Sequence, residues 1–133
     1  MENQEKIEAI NLINENRENG KYLSYSETTS IPKDRRLDLN KGDIIYFKGE
    51  KKPYKIRTQN NKYVICTQNN FGDIYYTIID WENGIKRAAD KWHNIDFDTD
   101  EGIEEGLKNL TNGKEDFSQI NWDYLRIDKI KQK

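Results

Sequence analysis

Three aspartates at alternate positions, Asp96, Asp98 and Asp100, come nearest to a known site in this 133-residue chain. D-x-D-x-D opens an EF-hand loop, in which alternate carboxylates fold round a calcium ion. The rest of that loop is missing: its sixth position is Glu101 where glycine is needed, and its twelfth is Leu107 where a bidentate glutamate is needed. With Glu104 and Glu105, these acids read instead as complements to the positive end of a helix dipole.

Nucleophilic chemistry finds little material. Cys66 is the one cysteine and His93 the one histidine. Cys66 alternates with Val64 inside an apolar run, where a buried thiol is inert, and a single imidazole removes His-rich zinc sites. No phosphate loop, dinucleotide fingerprint or nucleophile elbow occurs. An enzyme built on paired carboxylates has no positive signal beyond the abundance of acids. The chain therefore reads as a non-enzyme, with no metal and no cofactor expected.

Charge distribution is more informative. Lys41, Lys48, Lys51, Lys52, Lys55, Arg57 and Lys62 crowd the region of the first hairpin, against only Asp43 and Glu50. Residues 96–105 are the reverse: Asp96, Asp98, Asp100, Glu101, Glu104 and Glu105 stand there with no base among them. The acidic set is a candidate partner-binding surface, able to imitate nucleic-acid phosphates in a basic groove of another protein. The basic set, Lys48, Lys51, Lys52, Lys55, Arg57 and Lys62 with Tyr54, is the alternative. Such residues track a phosphate backbone while a ring stacks on a base. The bland reading of the same lysines is solvation of the outer face of a sheet.

The elements that must position these residues follow from periodicity. Hydrophobic residues make up 34% and charged residues 35%, so the core must be compact, and fifteen aromatics help to fill it. Residues 2–18 read as a polar helix with a thin stripe of Ile7, Ile10, Leu12 and Ile13, closed near Gly20, and docked on its own domain. Residues 20–41 read as a connector. Ile44-Ile45-Tyr46-Phe47 is a short buried strand, and Tyr54, Ile56 and Thr58 alternate with Lys55 and Arg57 in a second. Tyr63 to Thr67 and Ile74 to Trp81 make two more, in the order of an antiparallel meander. Lys86 to Asn94 shows no clear period and reads as loop or short helix.

A second helix is marked by Asp98 or Thr99 as cap, with Glu101 in a capping-box relation to Asp98. Ile103, Leu107 and Leu110 form its inner face, and Gly113 forms its stop. Phe117, Ile120, Trp122, Tyr124, Leu125 and Ile127 suffice for one more strand or a docked segment, before the tail frays from Lys129. The expected fold is α+β: a small antiparallel meander of four or five strands, an N-terminal helix and one helix packed on the sheet. The divisions are 1–40 helix and connector, 41–127 core domain and 128–133 frayed tail.

The run Lys41-Gly42-Asp43, then Tyr54-Lys55-Ile56, Tyr63-Val64-Ile65-Cys66-Thr67 and Tyr75-Tyr76-Thr77-Ile78-Ile79-Asp80 resembles a group of small phage and prophage proteins of Gram-positive bacteria. The likeness continues through Asn83-Gly84-Ile85-Lys86-Arg87, Asp98 to Gly102 and Leu110 to Gly113, covering residues 41–120. It departs at Lys86-Arg87-Ala88 and Ser118-Gln119-Ile120-Asn121, where the group has an Arg-Gly turn and a closing Ser-x-Arg-Asn. The resemblance brings no catalytic residues. It implies a phage accessory protein that binds a host or defence-system protein, in its sharpest form an anti-CRISPR-type inhibitor.

The charged start of the chain is unlike a signal peptide, and no run approaches the ~20 apolar residues of a membrane span, so the expected place is the cytoplasm of the bacterial host. No membrane partner is expected. Tyrosines on an uncovered sheet face are also compatible with a homodimer.

Overall fold

The computed structural model describes residues 2–17, 27–89, 95–96, 98–114 and 121–133. The expected cap at Gly20, the single histidine His93, and Phe117 and Ile120 lie outside these residues.

The described residues form seven strands, two α-helices and one 3-10 turn at Lys33–Arg35. Helix α1 (Asn3–Asn14) comes first, followed by β1 (Ile44–Phe47), β2 (Tyr54–Gln59), β3 (Tyr63–Asn70), β4 (Asp73–Asp80) and β5 (Ile85–Ala89). Then come α2 (Asp100–Thr111), β6 (Trp122–Tyr124) and β7 (Ile127–Lys131). The class is α+β, as expected, but four or five strands was too few. All neighbouring strands are antiparallel, in the order β6-β5-β4-β3-β2-β1-β7.

Two corrections account for the extra strands. The stretch from Lys86, read as loop or short helix, begins inside β5, where Ile85, Lys86 and Arg87 pair with both β4 and β6. Its period was hidden because a lysine occupies an inward position. The apolar tail supplies two strands, β6 and β7, where one more strand or a docked segment was expected. The end read as frayed is β7, in which Ile130 lies opposite Ile45 and Lys129 opposite Tyr46.

β6 and β7 lie at opposite edges of the sheet, yet only Leu125 and Arg126 separate them. Three chain steps reach roughly 10 Å. The sheet must therefore curl until its edges approach, and one cluster fills the inside of the curl: Ile45, Phe47, Tyr54, Ile56, Val64, Cys66, Ile79, Leu125 and Ile127 all belong to it.

Residues 1–40 contribute to this same core. Ile7 and Ile10 of α1 and Ile31, Leu37 and Leu39 after it are buried in the cluster. Two asparagines fix α1 at the seam. Asn11 donates to the Ile127 carbonyl and accepts from the Ile127 amide, both at 2.7 Å, so its side chain stands in for a strand partner. Asn14, fully buried, donates to the carbonyls of Gly84 at 3.1 Å and Leu125 at 2.9 Å. Gly84 must be glycine here: its φ is +63°, and a Cβ would lie 2.2 Å from the Thr29 carbonyl.

Helix α2 covers the opposite face of the sheet. Ile103, Leu107 and Leu110 pack on Ile65, Tyr76 and Ile78, the i, i+4, i+7 stripe the sequence shows. The cap is Thr99, whose hydroxyl accepts from the Gly102 amide at 3.0 Å. The capping box through Asp98 and Glu101 does not form, because with Thr99 as cap the third helical residue is Gly102. Gly113, at φ +72°, ends the helix as expected.

Candidate functional site

The two charge patches, at 41–62 and 96–105 in the sequence, meet in space. Asp100 opens α2 beside β2, where Lys41 pairs with it at 3.0 Å and Arg57 at 3.3 Å. The hydrogen bond from Lys41, then that from Arg57, hold the Asp100 carboxyl below the usual aspartate range. Arg57 also reaches the Thr67 hydroxyl at 3.2 Å on the neighbouring strand. Part of each patch is thus spent on joining helix to sheet.

The remaining acids fall into two groups. Asp96 closes a local turn, its side chain accepting from the Asp98 amide at 2.9 Å, so these two residues shape the entry to α2. Glu101, Glu104 and Glu105 are exposed on the outer side of the helix, at i, i+3 and i+4, and form no ion pair with any other described residue. They flank a shallow depression of about 640 Å³ that continues to Lys108, Asn112 and Lys114.

The fold takes Tyr54 out of the basic set. Tyr54 is buried, with its ring edge-on to Phe47 at 5.6 Å, so it offers no face to a base. Burial is also the main cause raising its phenol pKa. Lys62 lies 3.9 Å from Glu82, while Lys48, Lys51 and Lys55 are exposed. The alternation that marks β2 as a strand already assigns Tyr54 to the inner face with Ile56.

Lys52 leads to a residue that the sequence reading passed over. Its ammonium donates to Asn70 at 2.6 Å and lies 4.9 Å above the ring of Phe71. Phe71 is 98% exposed at the tip of the β3–β4 hairpin. β3 runs on to Asn70, so the connection read as six residues shrinks to Phe71-Gly72. The available signal was a phenylalanine standing alone among turn-forming residues, Asn69-Asn70-Phe71-Gly72-Asp73.

A second recess, of about 610 Å³, opens between α1 and the β1–β2 turn, with Glu8, Leu12 and Glu15 on one wall and Glu50, Lys86 and Arg126 opposite. Lys86 faces inward from β5, its side chain only 9% exposed, pairing with Glu50 and lying 4.6 Å over Phe47. Nearby Cys66 is fully buried. Desolvation pushes its thiol pKa well up, only partly offset by Lys86, so the group stays protonated and unreactive in the folded chain.

Among the described residues, no three His, Cys, Asp or Glu side chains converge as metal ligands, and no helix is long and apolar enough to cross a membrane. Comparison with protein-family models, with curated proteins and with solved structures finds no match for the chain.

Proposed function

We propose that the chain is a non-enzymatic binding protein that docks in fixed stoichiometry on a basic surface of another protein. The observation that carries this reading is the outer face of α2. Its inner stripe is fully used in packing and Asp100 is tied down by Lys41 and Arg57, whereas Glu101, Glu104 and Glu105 point outward beside a shallow depression. Carboxylates held on a rigid helix present a fixed negative field, which steers encounter with a basic groove and sets its register.

A phage-encoded accessory protein acting on a host or defence-system protein, inhibiting it by occupying its nucleic-acid groove, is the sharpest form of this reading. The sequence resemblance supports that form, and the cytoplasm of the bacterial host is where it would act. Direct nucleic-acid binding by the first hairpin is the weaker reading, because Tyr54 is inside the core and Arg57 is engaged with Asp100 and Thr67.

The test is affinity capture from nuclease-treated bacterial lysate, with the wild-type chain and with the triple variant Glu101→Lys, Glu104→Lys, Glu105→Lys as baits. A protein retained by the first and lost by the second is the expected result. Retention that ignores the three substitutions, or that is seen only in a parallel lysate without nuclease, counts against it.

A further inference from the structure

Phe71 carries two unfavourable features at once. Its φ is +54°, in the left-handed region where a side chain crowds the following carbonyl, and Gly72 follows at φ +91°. With Asn70 paired to Asp73, this is a two-residue hairpin turn with both central residues left-handed, for which Asn-Gly or Asp-Gly is the favoured pair. Phenylalanine is a poor choice for that backbone, and its ring is left almost wholly in water. Neither feature helps the free chain to fold, and an asparagine there would relieve both.

The backbone that carries the ring is nonetheless tied in place. The Lys52 ammonium lies over the ring and donates to Asn70, Gln68 donates to the carbonyls of Lys52 and Pro53 at 3.2 Å, and Asn69 accepts from the Gly72 amide at 3.1 Å. Two adjacent turns thus brace each other and present one aromatic side chain from a fixed backbone, as a preorganised binding anchor would be presented.

We propose that Phe71 is such an anchor: its ring enters an apolar pocket on a protein partner, and carboxylates at the pocket rim meet Lys51 and Lys52. The inference rests on the protein-binding reading above and adds a second point of contact to it. Thr67 accepts from Arg57, whose partner Asp100 opens α2, and precedes Asn70 by three residues, or roughly 10 Å of strand.

The experiment pairs stability with crosslinking. Phe71→Asn should raise Tm by about 2–5 °C through relief of the left-handed strain. Phe71→Ala keeps the strain and removes the ring, so it should not raise Tm. The full chain with a photoreactive benzoyl-phenylalanine at position 71 is then irradiated in nuclease-treated bacterial lysate. A protein adduct should form that tenfold excess wild-type chain competes away and tenfold excess Phe71→Asn or Phe71→Ala does not. Competition by the ring-less variants as strong as by wild type overturns the anchor. So does an adduct formed only with a second copy of the chain, or only with nucleic acid before nuclease treatment. A competitor carrying the three Glu→Lys changes on α2 separates the two ideas. If it competes fully while Phe71→Asn does not, the anchor stands and the acidic face falls; the reverse pattern sinks the anchor alone.

Discussion

Arg57 of β2 and Asp100 of α2 meet at 3.3 Å, joining a basic strand to an acidic helix that the sequence presents as separate surfaces. Asp100 is the more exposed partner, and its carboxyl is held low chiefly by hydrogen bonds from Lys41 and then Arg57. A depressed folded pKa means that the contribution to stability is complete above the unfolded aspartate value of ~3.9 and is lost as pH falls through the folded value. Asp100→Asn should therefore lower Tm slightly at pH 6–7. The gap should shrink in 0.5 M salt and close near pH 2–3. A gap that persists in acid would assign the effect to something other than charge.

Asn14 makes the seam between helix and curled sheet. Asn14→Ala removes two hydrogen bonds and leaves the Leu125 carbonyl short of its partner in a fully buried setting. The expected cost is about 2 kcal/mol in urea unfolding. A loss below about 0.5 kcal/mol would show that the seam holds without these two hydrogen bonds.

The Lys86–Glu50 pair should respond asymmetrically. Glu50 is about a third exposed and can hydrate when left alone, whereas Lys86, at 9%, cannot. Glu50→Gln therefore strands an inward-facing cation and should cost about 1–3 kcal/mol, less than a fully buried pair because water reaches one side. Lys86→Met fills the same space with an apolar chain and should cost under about 1 kcal/mol. Equal losses would place the pair's value in its attraction and not in the desolvated lysine.

Cys66 supplies a probe of the core. Its thiol pKa is raised by burial, so the stability it lends is complete below the unfolded thiol value of ~8.5 and declines as pH rises beyond it. Wild type should lose stability above pH 9 faster than Cys66→Ala does. An alkylating reagent at pH 8 should label Cys66 only at the rate of global unfolding. Fast labelling under native conditions would contradict the packing of the curl.

The parts of the fold legible in the sequence are those encoded by local period. The alternation of Tyr54, Ile56 and Thr58, the apolar runs of β1, β3 and β4, and the Ile103–Leu107–Leu110 stripe each specify an element on their own. Closure of the sheet is not local. Nothing in Tyr124-Leu125-Arg126-Ile127 says that the strands on either side belong to opposite edges, and the inward Lys86 breaks the pattern that would have marked β5. For the candidate site, the acidic residues could be named, but not which of them fold back on the strand. The Arg57–Asp100 contact depends on how α2 docks, and Phe71 became visible only when its turn shrank to two residues.

The most direct test of the central claim is the mass of a purified complex. A protein retained from nuclease-treated lysate should be co-purified with the chain and its molar mass measured by light scattering. The account predicts one discrete species with an integral ratio of chain to partner, which fails to form with the Glu101→Lys, Glu104→Lys, Glu105→Lys variant although that variant remains folded by circular dichroism. A chain that elutes at its own mass beside the retained protein, or a complex that forms equally with the charge-reversed helix, would contradict it.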